Sequence, residues 1–193
     1  MTITRRATAV ALALAFCGKA AIAQDLRNQP APDSPILARN PAGPPELAQY
    51  DFLAGDWDVT VTIPQAGGKP LVYQARWHNH WVANGHVMMQ EWREPDATGI
   101  ELRSFNPLTK KWDGRNLYVP TPGTWYENEA QLVGGNMVVT GRANAPDGTP
   151  IINREIYHGI EPDRFAIRTE VSVDGGTSWK PGRYSLVATR IER

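Results

Sequence analysis

The sequence is almost without cysteine. Of its 193 residues only Cys17 carries a thiol, and that residue lies in a leader-like segment. Arg5 and Arg6 precede an apolar run from Ala7 to Phe16 that is too short to span a bilayer. Ala21-Ile22-Ala23 then offers a small-x-small cleavage site before Gln24. Together these predict a secretory signal peptide over residues 1–23. The paired arginines invite a twin-arginine reading, but Ala7-Thr8-Ala9 lacks the bulky apolar positions of that route, and general secretion is preferred. Leu14-Ala15-Phe16-Cys17 resembles a lipoprotein box, in which Phe16 is a poor fit before the cysteine. Cleavage after Ala23 leaves no thiol in the mature chain. That excludes disulfides, thiolate nucleophiles and thiolate metal sites, although the destination is the periplasm or the medium, and stability must come from a packed core.

Charge of one sign is also lacking. The chain balances 20 Lys plus Arg against 20 Asp plus Glu. Residues 1–23 hold Arg5, Arg6 and Lys19 and no acid, so the mature chain has 17 against 20, a net charge near −3. No basic block survives, which argues against nucleic acid or an anionic membrane as partner. No segment after residue 23 is apolar enough to cross a membrane as a helix. A Gly-rich phosphate loop, a Gly-x-Ser-x-Gly elbow and a helical repeat are absent as well, so the common nucleotide sites and covalent acyl chemistry are disfavoured.

Proline and period-two alternation are plentiful. Residues 24–46 are rich in Pro, Ala, Asn and Asp and read as a linker. Glu46 to Phe52 can form one helical turn capping the domain that follows, residues 47–193. From Gly55 the pattern alternates: Trp57, Val59, Val61 and Ile63 interleave with Asp56, Asp58, Thr60 and Thr62, the mark of a half-buried strand. Turn signals recur at short intervals, among them Asn84-Gly85, Pro95-Asp96, Gly134-Gly135 and Asp147-Gly148. They separate about ten strands, near 57–63, 70–79, 86–93, 99–105, 112–119, 124–132, 136–143, 151–159, 164–173 and 183–191. The fold class is therefore all-β: one antiparallel up-and-down barrel. Closure removes the exposed edges of a meander, and a barrel of this size can hold one small ligand.

Ser172-Val173-Asp174-Gly175-Gly176-Thr177-Ser178-Trp179 fits the Asp-box pattern that sialidases carry in several copies. With one copy, it reads as a structural hairpin turn in which Asp174 accepts turn amides. His78 and His80 share a strand face, with His86 expected across the Asn84-Gly85 hairpin. Three imidazoles so placed can bind zinc, and one can ligate haem. The simpler reading, adopted here, is solvated or backbone-bonded histidines with no metal and no cofactor. The seven tryptophans are mostly core, with Trp92 and Trp112 as candidates for lining a pocket. Glu91 and Arg93 share one face of the third strand, and Glu101 and Arg103 one face of the fourth. Glu101 is assigned to the outside. Glu91 and Arg103 are assigned to the interior or the mouth, as a pair orienting a polar head group. The candidate ligand-binding set is Glu91, Arg103, His78, His86, Trp92 and Trp112.

Four stretches resemble an exported bacterial calycin-like family of unknown function. Asp51 to Val59 looks like its opening, with Gly55-Asp56-Trp57 as the Gly-x-Trp strand that closes the barrel bottom. Asn84 to Trp92 resembles its Gly-x-x-x-x-x-Glu strand, Ser104 to Trp112 its Asn-Pro hairpin, and Ser172 to Trp179 its final hairpin. Calycin relatives include lipocalins and fatty-acid-binding proteins, which hold apolar ligands, and nitrobindins, which hold haem. Asp58-Val59-Thr60 stands where nitrobindins have a second glycine pair, so haem is not carried over. The resemblance implies an envelope protein binding a small apolar or amphipathic molecule. Two other expectations stand beside it: an isomerase or hydrolase using Glu91 with His78 or His86 as acid and base, and an interaction domain with a filled barrel.

Overall fold

In the computed structural model, residues 38–119 and 124–192 are described. The expected signal peptide and the linker as far as residue 37 lie outside them. A 3-10 helix, Pro45–Leu53, precedes ten strands: β1 Gly55–Ile63, β2 Leu71–Val82, β3 Val87–Arg93, β4 Thr98–Asn106, β5 Lys111–Val119, β6 Tyr126–Val133, β7 Asn136–Asn144, β8 Pro150–His158, β9 Arg164–Ser172 and β10 Lys180–Arg190. Each strand pairs antiparallel with its chain neighbours, and β1 pairs with β10 to close the barrel. The all-β, closed antiparallel barrel expected from the alternation is what forms, consistent with a calycin-like architecture.

The two ends differ. At one end the 3-10 helix, begun by a proline at its first position, buries Leu47, Tyr50 and Leu53 in one apolar cluster with Trp57, Trp81, Met88, Trp112, Met137 and Phe165, Tyr50 meeting Trp112 edge-to-face. Burying each of these helix side chains contributes roughly 1.5–3 kcal/mol. Arg190 staples this closed end. Its guanidinium lies 4.2 Å from the Trp57 ring centre and donates to the carbonyls of Ala54 (2.7 Å), Phe52 (2.9 Å) and Pro162 (2.7 Å). Gly55, at φ 129°, is where this close approach occurs: a Cβ there would collide with the Arg190 guanidinium, so only glycine serves. The opposite end, at the β1–β2, β3–β4, β5–β6, β7–β8 and β9–β10 connections, is the mouth.

The Asp-box turn sits on the mouth rim between β9 and β10. Asp174 accepts the Ser178 amide (2.9 Å) and the Ser172 hydroxyl (2.7 Å), while Trp179 Nε1 donates to the Gly176 carbonyl (3.1 Å). The Arg154 guanidinium stacks 3.8 Å from the Trp179 ring centre. The hydrogen bonds from Ser178 and Ser172 hold the Asp174 carboxyl well below its ordinary range. A depressed native value means stability that is present above the ordinary carboxylate range and lost as pH falls from there. Asp174→Ala is therefore expected to lower the melting temperature by a few degrees at neutral pH and by less as the pH drops below about 4. A gap that does not narrow on acidification would contradict this account.

Candidate functional site

Inside the barrel, between the closed end and the mouth, lies a cavity of about 430 Å³. One wall is apolar: Val61, Ile63, Trp77, Trp92, Val139, Ile167 and Leu186. Trp77 and Trp92 are cross-strand partners whose rings meet edge-to-face at 5.4 Å. The other wall is polar: Glu101 and Asn116, which line it, are partners across β4 and β5, and Asn79 and Gln90, which do not, continue that row on β2 and β3. One residue pair deeper, Arg103 is opposite Gly114, which is opposite Asn128.

Arg103 anchors that wall and is 1% exposed. It makes a salt bridge to Glu101 at 2.8 Å and donates to the Tyr50 hydroxyl (3.1 Å) and the Asn128 side-chain oxygen (3.3 Å). Asn128 in turn donates to Glu101 at 2.6 Å. Burial works against the arginine's charge, but Glu101 beside it holds the guanidinium above its ordinary range. Gly114 makes the network possible: a Cβ there would stand 2.9 Å from the Asn128 amide carbon. With no side chain on β5 at that point, Asn128 reaches from β6 across to β4.

A second carboxyl faces the cavity from β8. Glu155 accepts a hydrogen bond from the Tyr184 hydroxyl of β10 at 2.6 Å. Burial pushes its carboxyl above the ordinary range, and the charge of Glu101 adds to this. Nearer the mouth, Glu94 accepts from the Tyr73 hydroxyl (2.6 Å) and Trp92 Nε1 (3.2 Å). Three polar atoms of the lining are buried without a partner: the Tyr157 hydroxyl, Arg103 Nε and the Asn116 side-chain oxygen. Such atoms are costly unless something bonds them. The deeper Asn79 and Gln90 amides are in the same condition.

The six residues expected to bind ligand are not brought together. Arg103 and Trp92 line the cavity. Glu91 does not: it lies on the outer face and pairs with Arg93, so the expected Glu91–Arg103 pair is corrected. The cause is the β3–β4 turn. Glu94 and Ala97 close it by a 2.9 Å backbone hydrogen bond around Pro95-Asp96, which sets Arg93 opposite Thr98 and Glu91 opposite Ile100. Opposed residues share a face, so Trp92, Gly99, Glu101 and Arg103 point one way and Glu91 the other. The outside assignment of Glu101 is corrected with it, since residues 101 and 103 occupy the same face of one strand. His78 is opposite Glu91 on the outer face and hydrogen-bonds Asp56 at 2.5 Å. His86 is exposed on the β2–β3 turn at the closed end. The expected acid–base pairing of Glu91 with an imidazole therefore falls outside the cavity. Trp112 is fully buried at the closed end, where its indole donates to Gln49 at 3.0 Å.

Glu101, Asn128, Glu155, Tyr157 and Tyr184 were missed as site residues. Their signal is parity: Glu155 shares a face of β8 with Tyr157, and Asn128 shares one of β6 with Ala130. Compared with protein-family models and with curated proteins, the chain matches none.

Proposed function

We propose that this is an exported barrel that binds one small amphipathic molecule. The observation that carries the reading is the cavity itself, with an aromatic and aliphatic wall facing a hydrogen-bonding wall on which three buried atoms have no protein partner. Its volume falls in the usual range for small-molecule sites. An interaction domain with a filled barrel would leave no such space, and buried polar atoms without partners are rare in a packed interior. The mouth is the route of entry, since the 3-10 helix and the Arg190 staple shut the other end. A catalytic reading rests on Glu155, a cavity carboxyl that holds its proton to higher pH than an ordinary glutamate and bonds a tyrosine hydroxyl.

The protein purified from its own host is expected to show, in native mass spectrometry, one added small mass per chain that denaturation releases. Adding that compound back should change the fluorescence of Trp77 and Trp92, and conversion of the compound during incubation would favour catalysis. A bare chain mass, with no fluorescence response to extracts of the host, would overturn the binding reading.

A further inference from the structure

The charges inside the barrel do not cancel, and their imbalance points to the class of ligand. Glu101 and Arg103 neutralise one another at 2.8 Å. Glu155 has no such counterpart: among the described residues no arginine or lysine lies within salt-bridge distance of it. Among the described residues it receives one hydrogen bond, from the Tyr184 hydroxyl, which donates a proton without cancelling a charge. Of the arginines lining the cavity, Arg142 and Arg183 are exposed, and the two terminal nitrogens of Arg103 are already committed to Glu101, Tyr50 and Asn128.

We propose that the cavity takes a small organic cation, an amine or a quaternary ammonium, with Glu155 as its counter-charge. This deepens the binding reading and rests on it. Two features converge. Glu155 is half-buried on the cavity wall; a carboxylate drawn part-way out of water gains from a positive partner or gives up its charge, and a ligand cation supplies that partner. The surroundings of Glu155 are aromatic: Trp77, Trp92, Tyr157 and Tyr184 all line the same space, and aromatic faces attract ammonium groups most strongly where water is excluded. An anion is the worse fit in the interior: it would meet Glu101 and Glu155 and find the terminal nitrogens of Arg103 already engaged, while the other lining arginines, Arg142 and Arg183, are exposed.

Three probes of one shape separate the possibilities: 2-phenylethylammonium, 2-phenylethanol and 3-phenylpropionate, each titrated calorimetrically against the full mature chain and its Glu155→Gln variant. The variant is expected to fold, because glutamine still accepts the Tyr184 hydrogen bond and removes a charge that burial opposes; its melting curve checks this. The wild type should bind the ammonium at least about tenfold tighter than the alcohol, with the carboxylate weakest. Glu155→Gln should abolish that preference and leave the alcohol within about twofold of its wild-type affinity. An ammonium no tighter than the alcohol, a preference that survives Glu155→Gln, or a carboxylate that binds tightest would each overturn the cation assignment and leave the binding reading standing. No binding by any of the three would overturn both.

Discussion

Arg103→Leu is expected to destabilise the protein by about 3–5 kcal/mol, a large part of the total stability of an ordinary domain. The arginine is 1% exposed and, among the described residues, is the only cation holding Glu101, whose side chain is 14% exposed. Leucine fills comparable space but leaves that carboxylate inside the barrel with Asn128 alone. It also frees the Tyr50 hydroxyl, the link between the β4 wall and the 3-10 helix. The loss should be strongly non-additive. Glu101→Gln added to Arg103→Leu removes the stranded charge and should recover part of the stability, because the cost lies in the unpaired ion more than in the missing bridge. Urea denaturation of the two single variants and the double variant measures this directly. A single-variant cost below about 1 kcal/mol, typical of an exposed pair, would show that the interior position of Arg103 is wrong.

Trp57→Ala should cost a comparable amount, about 3–5 kcal/mol, as large aromatic truncations in a core do. Trp57 is fully buried, its Nε1 donates to the Leu53 carbonyl at 2.8 Å, and its ring meets Phe165 edge-to-face at 4.8 Å. Its other neighbour is the Arg190 guanidinium. The alanine variant thus opens a cavity and takes the platform from beneath the staple. Trp57→Phe keeps most of the volume and the aromatic face, losing chiefly the Leu53 hydrogen bond, and should fall between. A midpoint for Trp57→Ala equal to wild type would place this residue outside the core.

The barrel was legible because its interior positions are mostly large and apolar. Trp57, Val59 and Val61 mark the inner face of β1 without ambiguity, and turn residues punctuate every hairpin, so all ten strands emerged near their true limits. The site was legible only where an apolar residue announced the face, as at Trp92. On β3 the charged pair lies on the outer face and on β4 on the inner face, and alternation alone does not say which is inside. The decisive information was the two-residue turn at Pro95-Asp96. It makes the numbers of opposed residues sum to an odd total, which joins Trp92 to the face of Glu101 and Arg103 and excludes Glu91. A register centred one and a half residues later reverses that answer. Glu155 and Tyr184 were harder, because their partnership crosses from β8 to β10 and no local pattern encodes it.

Every strand pairing but one joins neighbours along the chain; the exception is β1 with β10, where Trp57 stands opposite Arg190. Hairpins of short loop can form early, yet the ring cannot shut until its two most distant strands meet, and that long loop closure is the slow entropic step. Until then the growing sheet keeps two open edges, each a template for pairing with another chain. Arg190 is therefore a latch as well as a packing residue: it lies at the end of β10 and engages the 3-10 helix, Trp57 and the β8–β9 turn only when the ring is complete. A chain delivered unfolded across a membrane would be vulnerable to aggregation up to that event and protected after it.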